Sequence, residues 1–440
     1  MKVSIDRKVL MSLVGIAESF SSIASKKQGD ALDKSLTIGS QDDSLHLTCH
    51  AHTINSGVNL VLTKDDIDFT IDESGEVTVY SKWFNDAVGN LSSNEVQVTD
   101  DGEGVTINGS GESVRMDIPD VDDEVNWEKP PLESYDEHIV CNSDDLQNIL
   151  GASTPPGIPL LDNSVVMHTD VDENIIIGSA ERHPYFVSLL KMEVEENTLE
   201  DDVLIHSDYI PIVINALKQL SDEETKVRVS HDMESSRVVY TVIKDDDRVV
   251  ANIWAPVATS NLPSNDMAYT RLEHVANKVS TTDECIKLIL PSIDFQNSAK
   301  SAIAVGKASG AVRDSQGNVD KNGQVLIVVD GDDITIASPQ ESSTYTAGFT
   351  MGINTNEKTI IRFPFNLVST FLRSPLYTGL DINLNLSPLG NGKGFMASIN
   401  PTGSLDIEDM KRASLVITCS VPQNTGGWPW SSFFEEQDGV

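Results

Sequence analysis

Residues 77–107 read VTVYSKWFNDAVGNLSSNEVQVTDDGEGVTI, and this stretch decides the fold. Val77 and Val79 alternate with Thr78 and Tyr80, the two-residue period of a half-buried strand. The period then changes. Trp83, Phe84, Ala87 and Val88 predict a short apolar helix, which Ser92-Ser93-Asn94 break. Val96-Gln97-Val98 and Val105-Thr106-Ile107 alternate again, with Gly102 and Gly104 between them as hairpin signals.

The same order recurs twice. Val203-Leu204-Ile205-His206-Ser207 leads into an apolar helix from Tyr209 to Leu220, and Val227-Arg228-Val229 and Val238–Val242 follow as strands. Thr359-Ile360-Ile361-Arg362-Phe363 leads into Phe365–Leu372, then strands at Leu380–Leu384 and Gly394–Ile399. With Ser81, Ser207 and Phe363 taken as equivalent, the copies are spaced by 126 and 156 residues. A polar insertion at 313–323 (RDSQGNVDKNG) and a longer hairpin at 387–394 account for the larger third copy.

Each copy also has an earlier helix candidate, at Arg7–Phe20, Ser143–Leu150 and Ser292–Gly306, with Ser143 as a candidate N-cap. These periods are too long for a solenoid and predict tandem domains. Polar, proline-bearing stretches at 127–131 and 261–265 mark the boundaries. The expected fold is α+β: three tandem domains at 1–130, 131–266 and 267–423, each with two helices packed on antiparallel sheets, and a tail at 424–440. A chain of 440 residues suits this count, at about 150 residues per domain.

The chain has 68 Asp and Glu against 31 Lys and Arg, a net charge of −37, which repels nucleic acid at long range. Any nucleic-acid contact therefore needs a local positive surface. Such clusters exist. Residues 1–34 hold Lys2, Arg7, Lys8, Lys26, Lys27 and Lys34 against Asp6, Glu18, Asp30 and Asp33. Residues 296–321 hold Lys300, Lys307, Arg313 and Lys321 against Asp314 and Asp320. Residues 358–380 hold Lys358, Arg362 and Arg373 and no acid. The second domain is poorest, with Lys218 and Lys226 near its second helix. Ordinary solvated surface is the plain alternative for all of these. Cys49, Cys141, Cys285 and Cys419 lie far apart without a Cys-x-x-Cys pair, and read as free buried thiols of a cytoplasmic protein. No run of 18 apolar residues predicts a membrane span, and the N-terminus lacks a signal-peptide core.

On this pattern the chain resembles the bacterial-type DNA sliding clamp, the β subunit of DNA polymerase III. MKVSIDRKVLMSLV at 1–14 is similar to that family's opening strand and first helix, and Leu45–His50 to its following strand. Ile177–His183 stands where the family has a Thr-Asp-Gly-His-Arg stretch, and Asn261-Leu262-Pro263-Ser264 where it has Phe-Pro-Asp-Tyr. The resemblance runs in order along nearly the whole chain, and the departures mark a divergent member.

The resemblance implies a ring that encircles duplex DNA without sequence preference and tethers a replicative polymerase, loaded by a clamp loader. It implies no catalysis, cofactor or metal. It places both helices of each domain on the DNA-facing wall, where Arg7, Lys8, Lys26, Lys27, Lys82, Lys218, Lys300, Lys307, Arg362 and Arg373 are the candidate phosphate contacts. It implies a pocket for partner peptides at Ser179, Arg182, His183, Pro263, Val421 and Pro422. A head-to-tail homodimer is expected, with Val114, Met116 and Ile118 meeting Ile303 and Ala304 of the partner copy.

The tail carries Trp428, Trp430, Phe433 and Phe434 after Gly426-Gly427. Docking into a clamp pocket, recruiting another protein and packing on the third domain are its three readings. His46, His50 and His52 read as a polar strand face rather than a metal site. Asp330–Asp333 and Asp245–Asp247 read as turns between strands. Gly306-Lys307-Ala308-Ser309 fails as a phosphate loop, because Ser301 and Ala308 replace the required glycine and hydroxyl. Two other classes compete with the clamp. A structural or adhesive β-rich virion component would not be retained on circular DNA. A hydrolase would need converging perturbed carboxylates in a deep cleft.

Overall fold

Val3 and Ile5 are buried and alternate with Ser4 in strand β1 (Lys2–Asp6), and Asp6 turns the chain into helix α1 (Arg7–Lys26). The Asp6 carboxylate accepts from the backbone N–H of Lys8 at 2.8 Å and of Val9 at 3.1 Å, satisfying two donors that the helix leaves free. The structure is a computed structural model. It describes residues 1–26, 31–41, 43–119, 135–153, 158–159, 164–170, 173–183, 186–244, 247–258, 286–308, 324–337, 346–369, 372, 381–388, 394–401 and 413–420.

The rest of the first copy runs β2 (Ser35–Gln41), β3 (Ser44–Ala51), β4 (Ser56–Thr63), β5 (Phe69–Glu73), β6 (Gly75–Tyr80), α2 (Ser81–Asn90), β7 (Glu95–Asp100), β8 (Gly104–Asn108) and β9 (Ser113–Asp117). The second begins with β10 (His138–Asn142) and α3 (Ser143–Ser153). It continues through β11 (Ile158–Pro159), β12 (Ser164–Thr169), β13 (Ile175–His183), β14 (Phe186–Met192), β15 (Glu196–Asn197) and β16 (Val203–His206). Helix α4 (Ile210–Leu220) then precedes β17 (Lys226–Asp232), β18 (Arg237–Ile243) and β19 (Val249–Pro256). The third comprises β20 (Ile286–Pro291), α5 (Ser292–Ala308), β21 (Gln324–Ala337), β22 (Thr346–Pro364), α6 (Phe365–Ser369), β23 (Asp381–Pro388), β24 (Gly394–Pro401) and β25 (Ala413–Ser420).

Strand pairing makes the repeat geometric. In each copy the strand before the first helix pairs antiparallel with the strand after the second helix, in one register. The residue preceding the helix faces the first residue of its partner strand: Asp6 with Glu95, Asn142 with Lys226, Pro291 with Asp381. Two further strands then add in sequence, β8 and β9, β18 and β19, β24 and β25. The helix starts repeat as well. Asn142 Oδ1 accepts from the N–H of Asp144 and Asp145 as Asp6 does in the first copy, so the cap lies one residue before the expected Ser143. Ser143 instead receives the Gln147 amide at 3.1 Å, and Ser292 receives the Gln296 amide at 3.2 Å.

Chain contacts divide the molecule into two units: Met1–Gln147 with Thr169–Asn174 and Glu193–Thr259, and Asn148–His168 with Ile175–Met192 and Ser260–Val440. The first unit holds a five-stranded sheet, β5-β1-β7-β8-β9, and a nine-stranded sheet, β15-β10-β17-β18-β19-β4-β3-β2-β6. The nine-stranded sheet crosses from the first copy to the second at β4–β19, where Leu60 faces Ala251 and Gly57 faces Trp254. In the second unit, β13-β14-β25-β24-β23-β20 run side by side, and β14–β25 joins the second copy to the third. The division thus falls inside the second copy, because its strands extend two different sheets.

Apolar faces close each unit. In the first, α1 buries Leu10, Leu13, Val14, Ile16, Ala17 and Phe20, and α2 buries Phe84 and Val88. In the second, the rings of Phe363 and Phe365 meet Phe295 edge-on, at centroid distances of 5.9 and 5.7 Å. Each such ring contributes about 1.5–3 kcal/mol by leaving water. One expectation fails here. Asp330–Asp333 is no turn between strands but the middle of β21, which shifts register against β22 on both sides of Gly331. A bulge absorbs the polar run without ending the strand.

Candidate nucleic-acid interface and strand edges

The six helices among the described residues carry seven Lys and Arg and five Asp and Glu, a positive balance in a chain of net charge −37. Apolar periodicity explains which cations are free: the buried faces point to the sheets, and the polar residues between them are left outward. Lys8 and Lys26 are exposed at the two ends of α1, Lys82 on α2, Lys218 on α4 and Lys300 on α5. Arg7 is half-buried, and its guanidinium donates to the carbonyl of Gly89 at 3.1 Å, so it also ties α1 to the end of α2. Arg362 is half-buried at the end of β22. Lys307 lies in α5 with its side chain outside the described set, and Lys27 and Arg373 lie outside the described residues. The second copy is the least positive: Asp144 and Asp145 open α3, and Lys218 is the cation of α4.

Two of the sheet edges among the described residues bear on assembly. Strand β9 ends the five-stranded sheet, pairing with β8 alone. On it Val114 and Met116 are half-exposed, each opposite a buried residue of β8, Ile107 and Val105. Ile118 is half-exposed just beyond. The N-terminal half of β22, Thr346–Thr355, pairs with β21 alone. Ile303 and Ala304 lie on α5, half-exposed and exposed, on a helix rather than on that edge.

Comparison with known proteins gives a consistent answer. No protein-family model matches the chain, and no curated protein matches it. Solved structures do. The DNA polymerase III β chain of Streptococcus pneumoniae matches with a TM-score of 0.67 at 12% identity, over 96% of this chain and 100% of that one. The DNA polymerase sliding clamp of Bacillus subtilis matches at 0.67 and 14%, and the β subunit of Thermotoga maritima at 0.65 and 13%, each over the same shares. The chain has the sliding-clamp fold.

Within that fold three of the sequence-derived pocket residues are described, and they fall on one unit. Ser179, Arg182 and His183 lie on β13. The β14–β25 ladder sets Phe186, the first residue of β14, opposite Ile417 of β25. Pro263, Val421, Pro422 and the aromatic tail lie outside the described residues.

The junction of the first two copies, inside the first unit, is held by charge as well as by the sheet. The Arg248 guanidinium donates two hydrogen bonds to the Asp66 carboxylate, at 2.6 and 3.0 Å, and the Asp66 side chain is 7% exposed. Burial by itself would raise the Asp66 carboxyl. Hydrogen bonds from Arg248 and from the Thr63 N–H and hydroxyl outweigh it and hold the group below its ordinary 3.8. A lowered folded-state value means the stabilisation is complete above about pH 4 and lost as pH falls through the folded value. Asp66→Asn is therefore expected to cost roughly 2 kcal/mol at pH 7. Urea midpoints measured against pH should show the gap to the native chain narrowing below about pH 4. A gap independent of pH would contradict the assignment.

The histidine triplet divides. His46 and His50 lie on β3 with Thr48 between them, while His52 sits in the following 3-10 turn, His52–Ile54. The His50 ring lies 3.8 Å from that of His52 and meets Trp254 edge-on at 5.3 Å. Burial, then the neighbouring His52 and Arg237, lower His50 to about 4. It is a neutral packing histidine at neutral pH. Cys49 and Cys141 are free and buried, as expected, and burial pushes the Cys49 thiol up to about 12. Sequence reasoning missed the exposed Trp83 and the open edge of β22. Apolar spacing predicts the helix that carries Trp83 but does not reveal which side of a short helix the sheet covers.

Proposed function

We propose that the chain is a DNA sliding clamp, a non-enzymatic processivity factor that closes with a second copy into a ring around duplex DNA. The observation that carries this reading is the repeated junction. The last strand of the second copy, β19, pairs with β4 of the first, and the last strand of the third, β25, pairs with β14 of the second. The last strand of the first copy, β9, has no such partner among the described strands, and neither has the β22 edge of the third. One chain's β9 joining another's β22 edge repeats the same junction, and two-fold symmetry closes the ring at six domains.

The three domains are 1–130, 131–266 and 267–423, and their helices offer Lys8, Lys26, Lys82, Lys218 and Lys300 to phosphates. An acidic exterior limits unspecific sticking, while cations without base readout let the ring slide. Partner peptides from a polymerase and a clamp loader enter at Ser179, Arg182, His183, Pro263, Val421 and Pro422. Tethering a polymerase this way turns rebinding into an effectively intramolecular event. The test is retention on nicked circular duplex after loading. The ring should remain through gel filtration on the circle and be lost when the circle is cut once. Equal loss from circular and linear DNA would refute the proposal.

A further inference from the structure

Trp83 is 62% exposed, the most exposed large apolar side chain among the described residues. It stands in the first turn of α2. Tyr80, just before the helix, meets it edge-on with ring centroids 4.7 Å apart. Phe84, Ala87 and Val88 bury the other side of the helix, so Trp83 is not needed to close the core. A large indole left in water next to a second aromatic marks a surface with something to bind.

Its neighbours are cationic. Lys82 is exposed beside it. The Ser81 hydroxyl donates to the Lys34 carbonyl at 2.8 Å and lies 2.6 Å from the Ser21 hydroxyl of α1. Those contacts bring the backbone of half-buried Lys34, and a turn of α1 five residues before exposed Lys26, to the start of α2. The nearby acids are largely engaged: Glu18 accepts from the Asn85 amide at 2.5 Å, and Asp33 is buried and accepts from the Thr53 N–H at 3.1 Å. Asp86, one turn along α2, is the exposed acid of this helix.

We propose that Tyr80 and Trp83, with Lys26, Lys34 and Lys82, form a stacking platform for unpaired bases of single-stranded DNA. The inference rests on the clamp reading and extends it. In a duplex both faces of each base are covered by neighbours, so an indole on the wall of a ring finds no free face. An unpaired base supplies one, and the lysines hold the adjoining phosphates. The platform would engage the single strand beside a primer end.

The test uses the full chain and a short oligothymidylate in low-salt buffer, with binding read by fluorescence anisotropy. Trp83→Ala is expected to weaken binding roughly tenfold, and Trp83→Phe to retain most of it. An abasic oligomer of equal length should bind native and Trp83→Ala chains alike. An oligomer carrying 5-iodouracil should photocrosslink to a peptide containing Tyr80 or Trp83. Unchanged affinity in Trp83→Ala, or an abasic strand bound as tightly as oligothymidylate, overturns the proposal. Retention of the native chain on circular duplex is scored separately. Retention without base-dependent binding removes the platform and leaves the clamp, and the converse removes the clamp and leaves the platform.

Discussion

Gly57→Ala is expected to destabilise the first unit by about 3 kcal/mol, although it adds a single methyl group. Gly57 faces Trp254 across the β4–β19 junction and His50 across β3–β4. A Cβ at this position would stand 2.3 Å from the Cys49 carbonyl oxygen and 2.5 Å from Cζ2 of the Trp254 ring. Neither neighbour can give way cheaply. The first is ladder backbone, and the second is a fully buried indole packed against His50. Trp254→Ala is expected to cost about 3–5 kcal/mol by leaving a cavity. The double variant should cost less than the two together, because removing the indole relieves one of the two clashes. Urea unfolding of the three variants measures this. A Gly57→Ala chain within about 0.5 kcal/mol of the native one would show that the junction is not packed as described.

The second large effect concerns the open edge. The Gly109 N–H donates to Glu112 at 2.9 Å, closing the β8–β9 hairpin. Counting outward from that pair in twos, Ile107 with Val114 and Val105 with Met116 exchange hydrogen bonds. The N–H groups of Ser113, Arg115 and Asp117 then point away from β8, toward the open edge. Arg115→Pro removes the central donor of that edge and leaves the β8 ladder intact, at a position where proline is tolerated. The surface ion pair it loses, Arg115 with Asp101 at 2.6 Å, is about half-exposed on both sides and screened by solvent, so its loss leaves the fold in place. Light scattering at micromolar concentration should therefore find the native chain dimeric and Arg115→Pro monomeric, with dimer affinity lowered at least about tenfold. Both chains should melt within a few degrees of each other. A variant that still dimerises would rule out strand addition through β9.

Much of this was readable in the residues. The change from two-residue to helical period at Ser81 and Tyr209 marks helices that begin at Ser81 and Ile210. The third copy was harder: α6 is described over Phe365–Ser369, residues 370 and 371 of the expected Phe365–Leu372 helix lie outside the described residues, and the preceding strand reaches back to Thr346. The polar run at Asp330–Asp333 resembles a turn locally, and it stays in a strand because its partner β22 carries a matching irregularity. The helix cations were legible as types and positions. The bond from Arg7 to Gly89 was not, since the two residues are 82 apart in the chain.

The sequence by itself determined the kind and order of the elements, the three-fold recurrence and the segregation of charge, since periodicity, capping and charge are properties of neighbours along the chain. Tertiary structure decided which strand edges are joined and which stay open, why residue 57 must be glycine, and that Trp83 faces water. Those outcomes depend on contacts such as Gly57 with Trp254, nearly two hundred residues apart, whose pairing no local pattern encodes.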